Sequence, residues 1–121
     1  MIVLHGLLGS KNNFRSLCKH PLILNKRDCY LVEQRNHANS NHHQDMDYKV
    51  LSDDIIRFAD KMNLEKFTIM GHSLGGRTAM TTACRFPERV DGVISIDSAP
   101  KDERGRGTFF SFTFGVIEFM K

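Results

Sequence analysis

The sequence predicts an α/β fold built on a parallel sheet. Short apolar runs, "IVL", "CYLVE", "KFTIM" and "GVISID", recur along the chain, and helical patterns stand between them. Strands that alternate with helices make βαβ units, whose parallel sheets carry helices on both faces. A third observation is the tight Gly-His-Ser-Leu-Gly stretch at residues 71–75, where the third strand passes directly into a helix.

In chain order, Ile2 to Leu4 reads as a buried strand ending at Gly6, followed by the loop "GLLGSKNNF". A short helix places Phe14, Leu17 and Cys18 on one face and stops by His20, because Pro21 disfavours the α region before it. Cys29 to Glu33 is the second strand, and the polar "RNHANSNHHQDMD" is a loop. Leu51, Ile55, Phe58 and Met62 then recur at helical spacing, with Asp47 as N-cap and Asn63 closing the end in a left-handed turn. "KFTIM" is the third strand, Leu74 to about Arg85 a helix ending before Pro87, and "GVISID" the fourth strand, closed by Pro100. After the loop "KDERGRG", the run "FFSFTFGVIEFMK" reads as a further apolar element with helical character.

The bulk properties narrow the class. With 121 residues, 40% of them hydrophobic and 26% charged, the chain has the make-up of a soluble globular domain or part of one. The net charge of +3 is spread out, and the small cluster Lys101, Arg104 and Arg106 reads as a solvated loop, so no nucleic-acid partner is expected. No apolar run approaches the about 18–20 residues of a membrane span. Met1 leads straight into a strand with no visible leader, so an intracellular location, cytoplasm or mitochondrion, is the expectation. Cys18, Cys29 and Cys84 lack CxxC spacing, which argues against a disulfide framework and a zinc site; Cys84 falls in an apolar helical pattern and is expected in the core. No metal or other cofactor is expected.

Gly71-His72-Ser73-Leu74-Gly75 fits G-x-S-x-G in the setting that motif requires, after a strand and at the start of a helix. That turn holds a serine hydroxyl clear of the sheet as a nucleophile, and Gly76, Ala79 and Ala83 keep the helix face thin. "LHGLLG" ends the first strand, so His5, Gly6 and Leu7 form a turn beside it, and the backbone N–H groups of Leu7 and Leu74 are the candidate oxyanion hole. A rival pattern, Gly71-xxxx-Gly76-Arg77-Thr78, approaches a phosphate-binding loop, but arginine stands where that loop needs lysine and "LHGLLG" has no role in it.

These segments, together with "QRNHANS" and "FPERVDGVISIDSAP", resemble the α/β-hydrolase superfamily, in particular its ABHD11-type and YbfF-type small esterases. The resemblance implies cofactor-free hydrolysis of small-molecule carboxylic esters or thioesters, with Ser73 attacking the carbonyl, a histidine activating it and an acid orienting the histidine. It also implies that residues 1–102 are a partial α/β-hydrolase core, about four central strands incomplete at both ends, and that residues 103–121 begin a cap. Ala38 replaces the glycine of the family's "RNHG" segment, and Glu33 stands where aspartate is common.

In such a family the histidine follows the serine in the chain. Here all six histidines, His5, His20, His37, His42, His43 and His72, precede Ser73. The expectation is a truncated enzyme lacking its base, or alternatively a non-catalytic hydrolase-like binding module. Asp97, at the end of the fourth strand, is a candidate acid, with a loop-capping carboxylate as the competing reading.

Overall fold

The computed structural model of the protein describes residues 1–100 and the backbone of the strand Ile117–Met120. A five-stranded sheet has β1 (Ile2–Leu4), β2 (Tyr30–Val32), β3 (Phe67–His72), β4 (Val90–Ile96) and β5 (Ile117–Met120) in the order β2-β1-β3-β4-β5. The first four strands are mutually parallel, as expected. The register pairs Leu4 with Gly71 and Gly71 with Ser95, which brings the C-terminal ends of β1, β3 and β4 side by side.

Both faces of the sheet are covered. Ile2 and Leu4 of β1 pack with Ile69, Phe67, Val90 and Val93 against Ile55 and Ala59 of helix α3 (Tyr48–Lys61) and Ala79 of helix α4 (Leu74–Arg85). Val3, between Ile2 and Leu4, turns to the opposite face and packs with Met70 and Cys18. Ile2, Leu4 and Ile69 are wholly buried, which stabilises the sheet by about 1.5–3 kcal/mol for each side chain.

Helix α3 is bounded as its sequence predicts. The Asp47 carboxylate accepts from the Val50 N–H at 2.9 Å. At the far end Asn63 takes a φ of 54°, its N–H bonds to the Asp60 carbonyl and the Leu64 N–H reaches the Ala59 carbonyl, the pattern of a Schellman cap. Met62 lies past the last helical residue and is 40% exposed, so it does not extend the apolar face as its spacing predicted.

Other expectations are corrected. The segment before β2 holds two short helices, α1 (Arg15–Cys18) and α2 (Pro21–Leu24), preceded by a 3₁₀ turn at Lys11–Phe14. Pro21 ends one helix and opens the next, because its missing N–H costs nothing at the first helical position. Cys84 is exposed, and Cys18 is the buried cysteine. Ile117–Met120 is a strand antiparallel to β4, not helix. Aromatic and β-branched residues dominate "FGVIEFM", a composition that suits a strand, and a short apolar run carries no decisive period. The rest of the expected cap segment, with Lys101, Arg104 and Arg106, lies outside the described residues. Among the described residues no helix is long and apolar enough to cross a membrane.

Candidate active site

Strand β3 ends at His72, helix α4 begins at Leu74, and Ser73 alone makes the turn between them. Ser73 has φ 50° and ψ −112°, a combination that side-chain-bearing residues rarely adopt and that costs about 1–3 kcal/mol of backbone strain. The turn is held from both sides. The Ser73 N–H donates to the Ile96 carbonyl of β4 at 3.0 Å, and the Ser73 carbonyl accepts from Arg77 at 3.1 Å.

The glycines explain how so sharp a turn closes. A β-carbon on Gly71 would lie 2.2 Å from the Gly75 carbonyl group, and one on Gly75 would lie 2.7 Å from the His5 carbonyl oxygen and the Leu4 side chain. Helix α4 therefore starts in direct contact with the end of β1. Gly6 closes the same junction from the other side, since a β-carbon there would meet the His72 ring at 2.8 Å.

Beyond Gly6 the chain makes a turn in which the Gly9 N–H donates to the Gly6 carbonyl at 3.0 Å and Leu8 takes a φ of 59°. A positive φ at the third position is the signature of a type II turn, usually given to glycine. Leu7 and Leu8 stand out at 64% and 92% exposure. His5, Gly6, Leu7, Ser73 and Leu74 thus converge on the adjoining C-terminal ends of β1 and β3.

A buried polar network that the sequence reading missed lies beneath this junction. Gln34, just past β2, donates from Nε2 to the His5 carbonyl at 2.7 Å, and its Oε1 accepts from the Thr78 hydroxyl of α4 at 3.1 Å. The Gln34 N–H in turn donates to His5 Nε2 at 3.2 Å, so Nε2 is the acceptor and Nδ1 carries the proton that bonds the Gly6 carbonyl at 2.8 Å. Burial holds the His5 pKa below its ordinary value, opposed by the bond to Gly6 and reinforced by the neighbouring His37. The His37 ring stands edge-on to His5 at 4.9 Å, with Nδ1 on the Arg35 carbonyl. The one sequence signal for this network is Thr78, a polar residue beside Ala79 on the face of α4 that meets the sheet.

Asp97 follows β4 directly and has a φ of 49°. Its carboxylate faces His72 Nε2 at 3.8 Å, with both side chains partly open to solvent. Two further histidines are engaged elsewhere: His20 caps α2 through Nδ1, and His43 bonds Asn36 through its backbone. Arg35 forks onto Asp54 of α3 at 2.6 and 2.8 Å, and this hydrogen-bonded pairing raises its pKa. Among the described residues no cluster of histidine, cysteine and carboxylate side chains has the form of a metal site.

A family profile described as alpha/beta hydrolase fold matches residues 1–115. An abhydrolase domain-containing protein of Schizosaccharomyces pombe is 38% identical over 100 residues, covering 83% of this chain and 37% of that protein. Ethanol acetyltransferase 1 of Kluyveromyces marxianus is 38% identical over 103 residues, covering 85% and 28% respectively. The sn-1-specific diacylglycerol lipase ABHD11 of Xenopus tropicalis is 36% identical over 100 residues, covering 83% and 31%. Among solved structures, a marine microorganism esterase superposes with a TM-score of 0.79 at 37% identity, over 88% of this chain and 40% of that one. The chain spans roughly a third of the length of these curated relatives.

Proposed function

The chain belongs to the α/β-hydrolase fold family, and from that premise we propose that it carries the nucleophile half of a serine acyl-transfer site for small carboxylic esters or thioesters. One observation carries the reading most: Ser73 is the sole residue between β3 and α4, held at a positive φ beside the end of β1. A strained turn of this kind persists only where the surrounding structure enforces it, and it leaves the hydroxyl at the top of the sheet.

In this reading the Ser73 hydroxyl attacks the substrate carbonyl. The developing oxyanion is met by the N–H groups of Leu7 and Leu74, each worth about 3–4 kcal/mol in comparable sites. Supporting this, among the described residues the backbone hydrogen bonds of the two turns engage Gly9 and Ser73 as donors and leave Leu7 and Leu74 out. The alcohol or thiol departs, and water then releases the acyl group from Ser73. Asp97 is the acid that orients the imidazole, since it lies at the strand end next to the nucleophile turn. The general base is a histidine outside these 121 residues, because none of the six present follows Ser73.

A second reading concerns the acceptor rather than the nucleophile. Relatives named for alcohol acetylation stand beside one named as a lipase, and the same acyl-Ser73 can be released by an alcohol in place of water. Turnover of p-nitrophenyl acetate by the isolated chain tests the assignment of the base. The expected result is little or no turnover, with imidazole in solution raising the Ser73-dependent part. Rapid turnover without imidazole, lost in Ser73→Ala, would instead place a working base within this chain.

A further inference from the structure

The face of the sheet away from α3 and α4 holds two thiols that the proposed acyl chemistry does not use. Cys18, at the end of α1, is 5% exposed, and Cys29, just before β2, packs on the cluster that Cys18 forms with Val3 and Met70. Cys29 Sγ is placed to donate to the Arg27 carbonyl at 3.9 Å, and the Cys18 thiol is buried beside the same strand. They line one open cleft of about 560 Å³. Its rim carries Lys11, Arg15 and Lys19 against the single carboxylate of Asp28. Lys11 shares its charge with Glu33 at 3.6 Å, whereas Arg15 and Lys19 enter no ion pair among the described residues. A small anion approaching the thiols therefore meets an excess of positive charge.

We propose that Cys18 and Cys29 form a redox-active thiol pair that exchanges with an anionic low-molecular-weight disulfide of the glutathione type and closes into an intramolecular disulfide. Cys29 is the more accessible of the two and reacts first. Its thiolate attacks one sulfur of the reagent, the Cys29–reagent bond forms, the reagent's own S–S bond breaks, and one small thiolate leaves. Cys18 then attacks the Cys29 sulfur and expels the second small thiolate. Two protein thiols are oxidised, one external disulfide is reduced to two thiols, and the two cysteine protons end on the leaving groups. Burial, with the contact to Cys29, pushes the Cys18 thiol up to about 11, so the closing step is the slow one. The product would tie α1 to the start of β2 across α2, in the segment that packs against Val3 of β1.

The test uses the reduced 121-residue chain, treated with glutathione disulfide and followed by intact mass and non-reducing peptide mapping, with Cys84→Ser as the background to remove the exposed third thiol. The expected product has lost two hydrogens, contains a Cys18–Cys29 cross-link and melts several degrees higher than the reduced chain. Cys18→Ser should stop at one glutathione on Cys29. Cys29→Ser, which leaves the buried Cys18 in place if the first variant folds poorly, should react many-fold more slowly than the parent. At low salt the cationic disulfide cystamine should react several-fold more slowly than glutathione disulfide, and the gap should close at high salt. A stable mixed disulfide on the parent with no cross-link, or equal rates for the two reagents at low salt, would overturn the proposal.

Discussion

Gly71 and Gly75 touch backbone to backbone: a β-carbon on Gly71 would stand 2.2 Å from the carbonyl carbon and oxygen of Gly75. No side-chain rearrangement relieves an overlap with backbone, so Gly71→Ala has to push α4 away from β3. The expected loss is about 3 kcal/mol, with most of the chain unfolded if its margin is small. Urea denaturation of the purified variant checks this, and a midpoint within error of the parent would contradict the packing described here.

Gln34 joins three elements through one amide. Gln34→Leu keeps the volume but strands the buried His5 carbonyl and removes an acceptor from Thr78. The expected cost is about 2 kcal/mol, most of it from the unpaired carbonyl. Hydrogen exchange should also quicken at Gly9, whose N–H closes the turn after His5. Unchanged protection there would mean that Gln34 does not brace the turn.

His5 links stability to pH. Its pKa is lowered in the folded chain from the ordinary 6.5, so below pH 6.5 the unfolded state binds the proton that the folded state refuses. Stability then rises with pH across the window from the depressed native value up to 6.5, and is flat in this respect above it. Denaturation midpoints between pH 5 and 8, compared between the parent and His5→Gln, isolate the effect. A parent slope of opposite sign, or one that survives the substitution intact, would contradict the assignment.

Arg35 holds the loop after β2 onto α3 with a planar fork on Asp54 and a third bond to the Asp45 carbonyl. Lysine has no fork to offer and keeps one of these contacts at best. Arg35→Lys should therefore cost about 1–2 kcal/mol despite the retained charge. Thermal unfolding at moderate salt is the appropriate measurement, and a neutral outcome would reduce the pair to a surface contact.

Much of the scaffold was readable because it rests on local chemistry. Asp47 and Asn63 bound α3 through rules that concern a few neighbouring residues, and the serine turn announces itself by glycines at fixed offsets. The parallel pairing of β1 with β3 followed from alternation of strands and helices. What escaped the sequence is non-local. Gln34 looks like any polar residue at a strand end, and only folding brings it between His5 and Thr78. Cys18 and Cys29 have no informative spacing, yet α1 and the approach to β2 bring them to one packed cluster and one cleft. Pro21 concealed a second short helix because one residue both ends and begins a helix. The strand Ile117–Met120 was misread because a short apolar run has no decisive period, and its partner, β4, lies far back in the chain.

We propose Ser73 as a nucleophile whose base is not among these 121 residues. Peptide mapping after prolonged exposure to a fluorophosphonate probe tests it most directly. One slow adduct is expected, on Ser73, absent from Ser73→Ala and formed faster when imidazole is supplied in solution. Rapid stoichiometric labelling without imidazole, or an adduct on another residue that persists in Ser73→Ala, would contradict it.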